Sequence, residues 1–154
     1  MTKTKETTKI KVSTMHVPRV LNEAYHYEDP SCAFSRGMRC ELGDVTLLFL
    51  SGTASVDHRG RSVHPGNFKA QARRMYSNLT ALLRSENGAW HNVVKATIFL
   101  SDMRHYRAFN EVRTQFFKQQ GLRMLPASTC VEARLCRPDL LIECELIAVI
   151  PTSR

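Results

Sequence analysis

The chain has 154 residues, 43% hydrophobic and 23% charged, with 22 lysines and arginines against 14 aspartates and glutamates for a net charge of +8. This is an ordinary globular composition, and a chain of this length buries a core without needing disulfide staples. No apolar run approaches the roughly 20 residues of a bilayer span, the longest being Val45 to Leu50, so a membrane protein, a disordered tail and a secreted mini-scaffold are all unexpected.

The N-terminus, Met1 to Lys11, is rich in threonine and lysine and has no apolar stretch, so it does not read as a secretory signal, and a cytoplasmic protein is expected. Lys3, Lys5, Lys9, Lys11 and Arg19 against Glu6 place half the net charge in residues 1–19, read as a flexible basic arm ahead of a single domain over 20–154. A basic arm can touch nucleic acid. Nothing downstream supplies the aromatic and glycine pattern of an RNA-binding sheet, so a nucleic-acid partner is not expected.

Met38 to Leu42 and Val45 to Ser51 flank Gly43-Asp44 and read as a hairpin. Phe68, Ala72, Met75, Leu79 and Leu82 recur at helical spacing, with Asn67 as N-cap and Gly88 where a C-terminal glycine belongs. Val93 to Leu100 is a continuous apolar strand. A second amphipathic helix carries Tyr106, Phe109, Val112, Phe116 and Phe117 and stops at Gly121; its aromatics read as core. Strands over Thr129 to Leu135 and Leu140 to Ile150 are separated by Cys136-Arg137-Pro138-Asp139, a turn sequence. Strands before, between and after two helices give an α+β fold, one sheet with both helices on one face. The last strand alternates Leu140, Ile142, Cys144, Leu146 and Ala148 with Leu141, Glu143, Glu145, Ile147 and Val149, apolar in part on both sides, which points to an oligomer.

Five cysteines without a C-x-x-C pair argue against a disulfide framework and a zinc knuckle, and the six histidines are scattered, so no metal is expected.

Leu48-Phe49-Leu50-Ser51-Gly52, Gln71 and Asn78, Val93 through Met103, Phe109-Asn110, Phe116-Phe117, Pro126-Ala127, Cys130-Val131, and Ile142-Glu143 with Ile147-Ala148 resemble the Rid/YjgF family of reactive-intermediate deaminases, from about Phe34 to Val149. The resemblance implies a chorismate-mutase-like fold with a mixed, mainly antiparallel sheet, assembled as a homotrimer with clefts between subunits. It implies hydrolysis of imines and enamines with no metal or organic cofactor, water attacking an already electrophilic carbon. Glu143 matches the water-handling glutamate. Ser51, Gly52, Asn110 and Cys130 match pocket positions, and Phe34 stands for the family's tyrosine. The departure is Ser128, which occupies the place of the arginine that clamps the substrate carboxylate.

A serine hydroxyl cannot imitate the planar, permanently charged guanidinium fork, and losing a charge-assisted bond costs roughly 1.5–3 kcal/mol. Hydrolysis of simple 2-iminoacids by the familiar route is therefore not expected. Arg36 is the better replacement, although an exposed loop arginine is the plainer reading. Arg134, six residues from Ser128 and so about 20 Å along a strand, cannot serve the same pocket. Glu143 and Glu145 could equally be a solvated stripe, and Cys130 an inert thiol. Three readings follow: a small-molecule imine or enamine hydrolase with altered substrate, a non-catalytic small-molecule sensor, and an RNA-acting protein.

Overall fold

The computed structural model describes residues 10–27 and 31–152. Six strands form one sheet: β1 (Lys11–Thr14), β2 (Gly37–Leu42), β3 (Val45–Ala54), β4 (Val93–Leu100), β5 (Ala127–Glu132) and β6 (Ile142–Pro151), in the order β1-β2-β3-β6-β4-β5. All neighbours are antiparallel except β4 and β5. A parallel pair needs a crossover, and helix α2 (Tyr106–Gln119) provides it; helix α1 (Phe68–Ser85) links β3 to β4.

The periodic stripe of α1 is the buried one: Phe68, Ala72, Met75, Leu79 and Leu82 face Leu48, Leu50, Ile98, Ile142, Leu146 and Ala148 of the sheet. Each fully buried side chain of this size contributes roughly 1.5–3 kcal/mol. Phe109, Val112 and Phe117 of α2 join this core, whereas Tyr106 stays exposed. The opposite sheet face carries Phe49, 43% exposed, with Val45, Leu47, Ile147, Val149 and Val131, and among the described residues no helix covers it.

Several boundaries differ from the sequence reading. The expected basic arm falls in part on residues 1–9, outside the described residues. From Lys11 the chain is instead an edge strand, with Lys11 within 3.7 Å of Glu41, and Met15 is fully buried beneath it. At the end of α1 the left-handed residue is Asn87 (φ 58°), not Gly88. Asn87 N–H donates to Arg84 O and Gly88 N–H to Leu83 O, the paired closure of a helix C-terminus. A Cβ at Gly88 would meet Leu83 O at 3.1 Å, a tight contact that favours glycine there. β5 begins two residues before the expected strand and ends at Glu132, its register set by parallel pairing with β4.

Candidate functional site

β3 does not end at Ser51. It runs on to Ala54 through a bulge in which Ser51 and Gly52 together oppose Glu145: Leu50 pairs with Leu146, but Thr53 pairs with Cys144. Bulges bend a strand and re-aim its neighbours. Here the bulge leaves room for Glu143 of β6, whose Oε1 would lie 2.2 Å from a Cβ at Gly52. Two buried amides brace this corner. Asn78 Nδ2 donates to the carbonyls of Ala54 (3.1 Å) and Val56 (3.0 Å). Gln71 donates to Asp139 O (2.8 Å) and accepts from Leu141 N (2.9 Å).

Arg36 belongs to the same corner, and it is no exposed loop arginine, with only 4% of its surface accessible. The segment leading to it is fastened to β3: Ser51 Oγ donates to Ser35 O (2.6 Å) and Ser51 N–H to Arg36 O (3.0 Å). The Ser51 hydroxyl is thus engaged in positioning. Glu23 accepts from the Arg36 backbone N–H (3.0 Å), and Arg36 Nε donates to Asn22 O (3.1 Å). The guanidinium lies 5.2 Å from the ring centres of both Tyr27 and Phe34, a cation–π clamp that fixes its plane.

Burial pulls the Arg36 pKa down to about 10, Glu23 opposing, Arg137 adding to the fall and Glu143 opposing; the group stays charged at neutral pH. For Glu143, burial pushes the carboxyl above its ordinary value, Arg36 pulls it back and Glu145 pushes it up. A carboxyl raised in this way is a better proton acceptor than one at its ordinary value.

Asn110, Ser128 and Cys130 gather elsewhere. Ser128 and Cys130 pair with Ala96 and Ile98 on the helix side of β5, whereas Glu143 pairs with Phe99 on the uncovered side of the sheet. The expected site residues therefore form two groups, Phe34, Arg36, Ser51, Gly52 and Glu143 on one side and Asn110, Ser128 and Cys130 on the other, with the sheet between them. Burial raises the Cys130 pKa and nearby Arg113 offsets part of the rise, so the thiol stays protonated and is no nucleophile at neutral pH.

Sequence reasoning passed over Arg113. Its Nη1 donates to Ser128 Oγ (3.1 Å), its Nη2 to Asn110 Oδ1, and its guanidinium lies over the Phe109 ring at 4.8 Å. Asn110 in turn donates to Tyr106 O (3.1 Å). The available signal was helical spacing: Arg113 is one turn from Asn110 and next to the buried Val112. α2 thus brings a guanidinium into hydrogen-bond contact with the Ser128 side chain. Among the described residues no group of three His, Cys, Asp or Glu side chains is arranged to hold a metal ion.

The endoribonuclease L-PSP family model matches residues 28–150. A RutC family protein of Synechocystis is 36% identical over 107 residues, covering 69% of this chain and 80% of that protein. A RutC family protein of Pyrococcus horikoshii is 32% identical over 102 residues, covering 66% and 78%. Among solved structures, the YjgF gene product of E. coli matches with a TM-score of 0.70 at 26% identity over 89% of this chain and 98% of that one. The yeast protein YEO7 matches with a TM-score of 0.71 at 25% identity over 90% and 98%. The matched span contains both helices, five of the six strands and both groups of site residues, and the chain belongs to the Rid/YjgF family, whose model is that of endoribonuclease L-PSP.

Proposed function

We propose that this protein is a cytoplasmic, cofactor-independent hydrolase that adds water to an imine or enamine of a small metabolite, in a cleft completed by a second copy of the chain in a homotrimer. The observation that carries the reading is the corner where Glu143 lies against the Gly52 bulge beside the buried Arg36. Glu143 takes a proton from water as its oxygen bonds to the imine carbon and passes that proton to the nitrogen; as the C–N bond breaks and ammonia leaves, it takes the remaining hydroxyl proton and the carbonyl forms. Arg36, held flat between two rings, takes an anionic group of the substrate, so the favoured imines carry that group where Arg36 reaches it. The separation of the two residue groups by the sheet supports the second copy, because no movement of side chains within one chain brings Ser128 to Glu143.

The test is ammonia release from imines generated from several amino acids and aromatic amines, with Glu143→Gln and Glu145→Gln in parallel. At least one imine should be turned over, and Glu143→Gln should lower kcat by roughly 100-fold or more, as removal of a positioned proton acceptor does. Glu145→Gln should change it far less, its carboxylate standing about 6.6 Å further along the strand. Equal effects of the two substitutions, or ligand binding without turnover of any imine, would favour a small-molecule sensor.

A further inference from the structure

Three side chains at the start of the fold, Thr14, His16 and Glu23, are linked in a row. β1 ends at Thr14, and strand alternation puts Thr14 and His16 on one side while Met15 between them is fully buried on the other. The chain then turns back. Val17 O accepts from the N–H groups of Val20 and Leu21, and the buried Leu21 and Ala24 anchor the returning segment, which brings Glu23 beside His16.

Thr14 Oγ1 lies 2.5 Å from His16 Nε2, and His16 Nδ1 lies 3.3 Å from Glu23 Oε1. Glu23 is 3% exposed; its Oε2 is fixed by the Arg36 N–H (3.0 Å), and its Oε1 has no hydrogen bond among the described residues. A buried carboxylate oxygen left unmet is costly, so the imidazole is best served with its proton on Nδ1, turned towards Oε1. That tautomer leaves the Nε2 lone pair facing the Thr14 hydroxyl. Nucleophile, base and carboxylate thus stand in the order of a catalytic triad, with each ring nitrogen on the side the chemistry needs. The His16 side chain is 51% exposed and β1 is exposed along most of its length, so solutes reach the pair. Met15 N–H is given to Gly37 O, so by alternation the Thr14 N–H points off the open edge of the sheet, where it offers a donor to an oxyanion.

We propose that Thr14, His16 and Glu23 form a further catalytic site, at which Thr14 takes a small acyl group from an activated ester such as an aryl ester or a thioester. Nε2 takes the Thr14 hydroxyl proton as Oγ1 bonds to the acyl carbon. The tetrahedral oxyanion collapses, the leaving group departs with the proton from Nε2, and the acyl group stays on Thr14. Water then repeats the steps and releases the acid. Glu23 is a positioning residue that holds the imidazole. The proposal does not rest on the imine reading, since Glu143 has no part in it and the products differ.

The probe is p-nitrophenyl acetate with the full chain, read as nitrophenolate release and as the acetyl group on the peptide that holds Thr14; thermal transitions are recorded for each variant. Wild type and Thr14→Ser should be acetylated at residue 14, and Thr14→Val, close in shape, should lose the matching part of the release. His16→Gln should slow acetylation of Thr14 by roughly 100-fold or more, the loss of a general base. Glu23→Gln still accepts from the Arg36 N–H and should slow it by roughly tenfold or more, the tautomer being no longer set. In the His16→Gln background Glu23→Gln should change nothing further, whereas a merely structural role would add its own loss. Should Glu23→Gln fail to fold, the Thr14 and His16 variants decide alone. A Thr14 that stays unacetylated, acetylation of Thr14 that persists at the wild-type rate in folded His16→Gln, or full release by Thr14→Val would each overturn the proposal.

Discussion

Glu143 shows how much one residue's surroundings decide. Strand alternation placed it and Glu145 on the same face and left a solvated stripe open, and only the match to the family's water-handling glutamate set Glu143 apart. The Gly52 bulge makes the difference, because it takes two residues of β3 against one of β6 and so lets the backbone approach Glu143 closely. This also fixes a pH dependence. Burial raises the folded-state pKa of Glu143 above its unfolded value, so between those two values the folded state holds more protons and stability falls as pH rises through that window. Glu143→Gln removes this loss. Thermal melts should show the variant at least as stable as wild type at pH 7, with its advantage shrinking toward pH 4; a variant less stable at pH 7 and recovering in acid would reverse the sign. Arg36 and Arg113 were hard to read for a related reason. An arginine in a sequence looks like surface, and it takes the rings of Tyr27, Phe34 and Phe109 and the hydrogen bonds to Asn22, Ser128 and Asn110 to reveal that these two are held in place.

At the scale of elements, the long periodic segments were legible and the short contextual ones were not. Both helices follow from their stripes, and the hairpin follows from Gly43-Asp44, Gly43 taking the left-handed φ of 66°. β1 carries only four residues, Lys-Val-Ser-Thr, without an apolar run; pairing with β2 makes it a strand. Gln71 and Asn78, read as marks of resemblance, turn out to be the buried ties that hold α1 to the end of β3 and to the segment leading into β6. Gln71→Ala leaves Asp139 O and Leu141 N–H without their partner and should destabilise the fold by about 1–3 kcal/mol, measured by urea denaturation. Gly52→Ala should act differently. Its new Cβ meets the movable end of a side chain rather than backbone, so the Glu143 carboxylate is pushed aside. Catalysis should fall at least about tenfold, the cost of an ångström-scale misplacement being of that order or greater, while the midpoint of unfolding changes little. A Gly52→Ala enzyme with full activity would show that the close approach has no part in the chemistry.

For the whole molecule, the sheet has one covered face and one bare one. Alternation in the last strand already suggested this, and the structure extends the apolar surface over β2, β3 and β6 with Phe49 near the centre. The proposed homotrimer would bury this apolar surface, and the same bare face carries Glu143 while Ser128, Cys130 and Arg113 lie behind it. In the proposed homotrimer a site drawn from both sides would be completed where copies meet, and closed cyclic symmetry would give every copy the same cleft. Phe49→Asp places a charge in the middle of that surface and should dissociate the assembly. The most direct measurement is light scattering of the wild-type protein at micromolar concentration. A homotrimer with shared clefts predicts a mass about three times the 17.5 kDa of one chain, falling to that of a single chain in Phe49→Asp. A stable wild-type monomer would contradict both the assembly and the composite site.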